Sequence, residues 1–450
     1  MAKNDVPTYT DAERERRWNL ARSFMDAENV DALIVFGEHE DAGPATPYFD
    51  NWFTNGRPGS TIVFPRDEEP IELAPYHVST YYSAVLQPIC TTAGNNAKAY
   101  EHTLTARQLS VTDHLESSRR GDAVWTKPKN FRMGRDAATL VDVLNEFNLG
   151  QSTVGVVGLD IVPPWFPDGL IPYSLWTKVV SQLPQASFKS VGESFSRLVM
   201  VQSDEELAVV RYAAMAANEM CQAMVQAARP GVKEHTVVAA GVSTAYNLNT
   251  HVPLMHLWSG PELVASGIPP WSYRPQASRT LQEGDVVHAE VFGQFGLRST
   301  QSQMMVAIGE VHPDIERAAA IARECYDAGL RTLKPGVSFG DVCEKMLKPV
   351  LDAGGYTRGP QIHSLNPLYA LCGRPTKLEQ LGGAERYCDV GTAPTILADL
   401  EIKAGMTFAF EPSCAFGRHL VTLGGSVIVG EDGPIELNSF TAQLHRISTK

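Results

Sequence analysis

Two phrases of nearly the same form constrain the fold of this chain more than anything else in it. Ala228-Arg-Pro-Gly-Val-Lys-Glu234 and Leu333-Lys-Pro-Gly-Val-Ser-Phe-Gly340 each end one apolar-periodic run and precede another. Proline cannot continue a helix and glycine takes the left-handed cap, so Pro-Gly after an amphipathic run marks its end. The first of these helices opens on the capping sequence Ser203-Asp-Glu-Glu206 and is predicted over Leu207 to Ala228. Two similar helix pairs, each followed by strand patterns, predict an internally duplicated domain with helices covering a curved antiparallel sheet.

The part before these repeats reads differently. A helix is expected from Thr10 to Ala27, capped by Thr10 or Asp11, with Trp18, Leu20, Phe24 and Met25 near one face. Strand patterns follow at Ala32 to Gly37, Ser60 to Phe64, Ile71 to Ala74 and Thr153 to Gly158. Strands alternating with helices indicate an α/β layer domain. With 450 residues, two domains are expected, 1–195 and 196–450, and the overall class is α/β (α+β).

Composition excludes several function classes. A net charge of −13 offers no basic surface to release phosphate counterions, so nucleic-acid binding is not expected. No stretch reaches the roughly 20 apolar residues of a membrane span. Seven scattered cysteines, without a C-x-x-C pair, read as reduced thiols. The polar N-terminal segment lacks the apolar run of a secretory signal, and a cytoplasmic location is expected.

Residues with chemical potential cluster in the second half. Leu281 to Glu290 and Thr407-Phe-Ala-Phe-Glu411-Pro read as strands carrying one carboxylate each, with the isolated His363 between them and the strand Leu423 to Val429 after them. Apolar neighbours around Glu411 predict a buried carboxyl with a raised pKa, suited to a general acid or base. His363 titrates near neutrality and can accept and return a proton. A second carboxylate at Glu290 would make a pair whose pKa values separate. Trp52, Phe53, Trp258 and Trp271 are candidate pocket-lining aromatics.

The ordered set of Leu198-Val-Met-Val-Gln-Ser-Asp-Glu-Glu206, the two Pro-Gly-Val helices, the Gly-Asp-Val-Val strand and the Phe-Glu-Pro strand resembles the pita-bread enzymes: prolidases, Xaa-Pro aminopeptidases and creatinase. The resemblance covers nearly the whole chain, weakly before residue 190. In the metallopeptidase members five side chains hold two metals, and their positions fall here on Glu290, Gln301, His363, Glu411 and Gly424. The two bridging carboxylates are thus an amide and a glycine, neither of which grips a hard divalent cation as a carboxylate does. The second histidine of the peptidases is missing from Ser364 to Leu371.

Creatinase, which works without metal, is closer in site pattern. The resemblance places its substrate-carboxylate arginines on Arg57 and Arg374, a pair of guanidinium forks suited to a carboxylate. It retains the catalytic Glu411. It puts Tyr273 where creatinase has its proton-shuttling histidine, and Gln303 where the partner glutamate stands, which argues against creatine itself. The phenol of Tyr273 would donate a hydrogen bond to a leaving group or oxyanion.

The resulting expectation is a metal-independent hydrolase, without cofactor, acting on a C–N bond of a small nitrogenous carboxylate. Glu411 and His363 would move protons, Tyr273 and Glu290 would orient or polarise the reacting group, Arg57 and Arg374 would hold the carboxylate, and Gln301 and Gln303 would line the pocket. The family implies a homodimer with active sites shared between subunits, so that Arg57 would act in trans. Two alternatives stay open: a metal-dependent Xaa-Pro dipeptidase or C–S/C–N lyase on the same fold, and a non-catalytic pita-bread binding protein.

Overall fold

The computed structural model describes residues 6–37, 49–74, 124–160, 168–263, 267–374, 380 and 393–448. Cys90 and Cys388, with residues 375–379 and 381–392, lie outside the described residues. The chain divides into two compact units, with the main division between Leu198 and Val199.

The N-terminal unit is a layered α/β domain. Its helices are α1 (Asp11–Glu28), α2 (Phe49–Thr54), α3 (Ala137–Glu146), α4 (Tyr173–Gln182) and α5 (Gly192–Val199), the last running up to the division. Thr10 caps α1, its side chain accepting the Glu13 N–H. The strands β1 (Ala32–Phe36), β2 (Thr61–Pro65), β3 (Ile71–Ala74), β4 (Phe131–Met133), β5 (Thr153–Val157) and β6 (Ser187–Ser190) form one mixed sheet in the order β4-β3-β2-β1-β5-β6. Ile34, Val63, Leu73, Val154 and Val156 pack under Leu140 and Leu144 of α3. Trp52 and Phe53, expected to line a pocket, are instead buried core: Phe53 stacks on Phe195 with ring centroids 5.8 Å apart, and Trp52 meets Phe195 edge-on. Their apolar area is spent on this domain's own stability.

The C-terminal unit carries the duplicated helix pairs. The first is α6 (Asp204–Ala227) and α7 (Glu234–Asn247), followed by β7 (Met255–Gly260), β8 (Val286–Phe295) and β9 (Arg298–Ile308). The second is α8 (Pro313–Thr332) and α9 (Phe339–Asp352), followed by β10 (Ile362–Leu365), β11 (Thr407–Phe410), β12 (Ser413–Phe416), β13 (His419–Thr422), β14 (Ser426–Val429), β15 (Pro434–Glu436) and β16 (Leu444–Ile447). Ser203 and Glu206 form the reciprocal capping box at the start of α6. The two Pro-Gly-Val turns have the same backbone, with φ of 84° at both Gly231 and Gly336.

The expected single antiparallel sheet is, among the described residues, two four-stranded sheets and a hairpin. They are ordered β16-β9-β8-β7 and β10-β11-β14-β15, with β12-β13 apart, and β16 runs parallel to β9. Where the two sheets meet, Gln303 N–H donates to the Gly424 carbonyl at 2.9 Å, and the Ser426 hydroxyl accepts the Gln301 N–H at 2.9 Å. This seam brings the middle of β9 against the end of β11.

Candidate functional site

Strand periodicity decides which side chains share the seam. On β8, His288 and Glu290 lie two residues apart and so project from one face; on β9, Gln301 and Gln303 do the same. The register sets Gln303 opposite Glu290, and His256 of β7 opposite Glu290 on its other side. Across the seam come Glu411, immediately after β11, and His363 of β10, which pairs with Ala409. Glu290, Gln301, Gln303, His363 and Glu411, each singled out from sequence, are therefore brought together.

The carboxylate of Glu411 is held by two amides. Its Oε2 accepts from Gln301 Nε2 at 3.0 Å and from Gln303 Nε2 at 2.8 Å. Each glutamine reaches onward to an imidazole: Gln303 Oε1 is 2.8 Å from His288 Nε2, and Gln301 Oε1 is 2.9 Å from His363 Nε2. His363 Nδ1 donates to the Ser364 carbonyl at 2.8 Å, which fixes the tautomer of the neutral ring. On the other side of the pocket His256 Nδ1 stands 2.8 Å from Glu290 Oε2.

Electrostatics separates the two carboxyls. Burial, then the charge of Glu290, pushes Glu411 well above the usual carboxylate range, against the opposing pull of Gln303 and Gln301. Burial works on Glu290 too, but the contact with His256 and the fields of His288 and His363 outweigh it and hold Glu290 below its ordinary value. Burial keeps His288 and His363 below theirs, so both rings favour the neutral form. The two buried carboxyls are thus driven in opposite directions, Glu411 toward the protonated form and Glu290 toward the ionised form, a division suited to supplying an acid and a base at one pH.

A pocket of about 230 Å³ opens on this cluster, lined by His256, His288, Glu290, Arg358, Glu411 and, from β13, Leu420 and Thr422. Arg358 makes no ion pair or side-chain hydrogen bond with a described residue, while its carbonyl accepts from Arg374 Nη1 at 3.0 Å. Arg374, expected to hold substrate, therefore spends part of its guanidinium bracing the loop that presents Arg358. Tyr273 stands at the end of a short 3-10 turn, 64 % exposed, with the Arg274 guanidinium 5.8 Å from its ring centroid; it is not among the residues that line the pocket. Trp271 packs partly buried against the core around Met220 and Leu257, and Trp258 is 37 % exposed on the face of β7 that carries His256. Arg57 is exposed in the N-terminal unit, just beyond α2.

His256, His288 and Arg358 were not singled out in the sequence. The period-two spacing of His288 and Glu290 was a signal that could have found the first pocket histidine; His256 needed the strand register, and Arg358 sits in a loop without periodicity.

The side chains present do not fit a pair of ions. Gly424, at the last bridging position, has φ of +119°, and a Cβ built there would lie 2.2 Å from the Phe410 carbonyl oxygen. No carboxylate can stand there without moving the backbone. The other bridging position is Gln301, whose amide is engaged by Glu411 and His363. His363 Nε2 lies 3.5 Å from Glu411 Oε1, but Glu290 does not complete a trio with them: among the described residues, the one trio of histidine and acid side chains with ligating atoms within 4.8 Å of one another lies elsewhere, at His312, Asp314 and His419.

No helix among the described residues is long and apolar enough to cross a membrane. Solved structures of the same fold include dipeptidase PepE from Mycobacterium ulcerans (17% identity, TM-score 0.66, covering 98% of this chain and 99% of that one). X-Pro aminopeptidase from Thermotoga maritima aligns at 14% identity and TM-score 0.64, over 96% and 99% of the two chains. The prolidase from Pyrococcus horikoshii aligns at 12% identity and TM-score 0.63, again over 96% and 99%. At these identities the likeness speaks for the fold. The model of metallopeptidase family M24 matches residues 208–432, half of the chain and nearly all of the duplicated unit that builds the pocket, so the chain belongs to that family of hydrolases.

Proposed function

We propose that this chain hydrolyses a C–N bond in a small nitrogenous carboxylate by side-chain acid–base chemistry, without a pair of bridging metal ions. The observation that carries this reading is Glu411: a buried, protonation-prone acid gripped by two glutamine amides at the seam where relatives place bridging carboxylates. Glu411 delivers a proton to the leaving nitrogen. Glu290, ionised and backed by His256, takes a proton from the attacking water. The C–O bond forms as the C–N bond breaks, and the protons then return to the starting arrangement. Arg358 holds the substrate carboxylate, since a guanidinium without an internal acid in a small pocket suits a planar anion. His288 and His363 hold the two glutamines in place, and His363 Nε2, 3.5 Å from Glu411 Oε1, shares the proton of Glu411.

The reading includes a homodimer, in which Arg57 of a second copy would add a cation to the pocket mouth, and a cytoplasmic location. Tyr273 keeps a role only if a substrate or a second copy reaches it at the surface.

A competing reading, a metal-dependent Xaa-Pro dipeptidase, has the activities of the solved relatives on its side. A panel of small N-substituted amino acids and amidino acids, with Xaa-Pro dipeptides beside them, separates the two when product is followed with and without EDTA. Turnover of a panel member that survives chelation and is lost in Glu411→Gln supports the proposal. Cleavage confined to dipeptides and dependent on added Mn²⁺ or Zn²⁺ would overturn it.

A further inference from the structure

The trio at His312, Asp314 and His419 lies outside the pocket and none of the roles above uses it. His312 caps the N-terminus of α8, and its Nδ1 accepts the Asp314 N–H at 3.2 Å, while Asp314 Oδ2 lies 3.7 Å from the same nitrogen. His419 opens β13 from another part of the chain, yet its ring lies flat on that of His312, with centroids 3.9 Å apart and planes 10° from parallel. Each residue offers one ligating atom, and the three atoms lie within 4.8 Å of one another.

We infer that these side chains form a second, separate site for a borderline divalent cation, best matched by Zn²⁺. Two imidazoles and one carboxylate are the donor set that zinc takes with an open fourth position, whereas Mg²⁺ and Ca²⁺ ask for oxygen donors throughout. Zinc–nitrogen and zinc–oxygen bonds are about 2.0–2.2 Å long, so ligand atoms on one ion come to about 3–3.6 Å apart. On an ion the two rings, now near parallel, tilt so that both in-plane lone pairs meet it, and the 3.7 Å between His312 and Asp314 shortens to that range. The ion takes the Nδ1 lone pair now given to the Asp314 N–H, and the Asp314 carboxylate offsets the positive end of α8.

The consequence reaches the pocket. β13 carries Leu420 and Thr422 in the pocket wall and pairs with β12, which begins two residues after Glu411. An ion on His419 therefore fastens the catalytic hairpin to the start of α8, independently of which substrate the pocket takes.

Calorimetric titration of the chelator-stripped full-length chain with Zn²⁺, with Co²⁺ absorption as a ligand-sensitive readout, tests this. The expected result is one equivalent per chain with micromolar or tighter affinity, weakened about 100-fold or more in His312→Ala and in His419→Gln and unchanged in Glu411→Gln. Circular dichroism of each variant shows whether the fold is kept, and Asp314→Asn, a near-isosteric change, should weaken binding while leaving the fold unaltered. Binding only at millimolar Zn²⁺, binding indifferent to His419→Gln in a folded variant, or binding lost in Glu411→Gln would each overturn the inference, the last by placing the ion in the pocket.

Discussion

The side-chain oxygen of Gln301 faces His363 Nε2 at 2.9 Å, although the other ring nitrogen, Nδ1, already donates to the Ser364 carbonyl. In a neutral ring Nε2 is then an acceptor, and two acceptors at that distance repel. Two arrangements resolve the conflict with the same number of protons. Either His363 carries the extra proton and Glu411 is a carboxylate, or the amide is reversed, donating to His363 while its oxygen accepts from a protonated Glu411. Burial of both groups, raising Glu411 and lowering His363, favours the second. One proton is thus held by the pair His363 and Glu411, whose Nε2 and Oε1 lie 3.5 Å apart, and the amide of Gln301 turns over to match the side it is on. Gln301→Met, close in volume and unable to bond either partner, should lower kcat about 10²–10⁴-fold, the usual worth of a positioned proton donor. It should also cost about 1–3 kcal/mol of stability, for His363 Nε2 left without the amide and for the loss of one of the two amide bonds to Glu411. Steady-state kinetics and urea denaturation check both; a kcat within about threefold of the parent would remove the role given to the amide.

The pH profile follows from the separated carboxyls. Glu290 acts as the base only while ionised; its pKa is depressed, so activity is lost as the pH falls through a value below the ordinary carboxylate range. Glu411 acts as the acid only while protonated; its pKa is raised, so activity is lost as the pH rises through a value well above that range. A broad bell in kcat/KM is expected, and whatever residual activity Glu411→Gln retains should lack the alkaline limb. An alkaline limb that persists unchanged in that variant would assign it to another group.

Arg358 is predicted to act on binding. Arg358→Gln should raise KM for a carboxylate substrate about 10–100-fold, the loss of a charged hydrogen bond worth roughly 1.5–3 kcal/mol, with kcat changed little. Esterifying the substrate carboxylate should abolish the difference between parent and variant. If the ester and the acid respond equally to the substitution, the anion is held elsewhere.

Much of this arrangement is legible in the sequence, and the parts that are not share a cause. Helix ends at Ser203, Gly231 and Gly336 can be read because capping and left-handed turns depend on a few adjacent residues. Glu290, Glu411, Gln301, Gln303 and His363 stand out because their order along the chain matches that of relatives. Trp52 and Phe53 mislead because an aromatic residue looks the same in a core as in a pocket until its neighbours, here Phe195, are known. His256 and Arg358 depend on strand register and loop path, which are long-range properties that no local pattern encodes.

The glycine at the last bridging position tests whether the seam can be made to take a pair of ions. Gln301→Asp restores one carboxylate, but Gly424→Glu must place a Cβ where the Phe410 carbonyl now stands, at a φ that side-chain-bearing residues rarely adopt. Gly424→Ala alone should destabilise the chain by about 3 kcal/mol or more, from strain and overlap together. The double variant Gln301→Asp with Gly424→Glu should not bind two Mn²⁺ at the seam. Denaturant midpoints and isothermal titration measure the two effects. Two tightly bound ions in a folded double variant would show that the cradle had been kept.

A separate pH effect is expected in the N-terminal unit. Asp50 is fully buried, its Oδ2 accepting the backbone N–H groups of Gly59 at 2.7 Å and Ser60 at 2.8 Å. Burial nonetheless dominates, and it raises the carboxyl from 3.8 to about 7, with a smaller push from Glu72. Because the folded pKa lies above the unfolded one, the folded state binds the proton more tightly. The stabilising contribution of the protonated side chain is therefore complete below about pH 4 and is lost as the pH rises through about 7. The span amounts to at most about 4 kcal/mol, since each tenfold gain in proton affinity is worth about 1.4 kcal/mol. Asp50→Asn keeps an oxygen for both N–H donors and cannot ionise, so its stability relative to the parent should climb between about pH 4 and 8 and then level. Urea denaturation of both proteins across that range, followed by the fluorescence of the tryptophans packed in this unit, gives the comparison directly. A gap that stays constant with pH would mean that Asp50 ionises in the folded chain as readily as in the unfolded one.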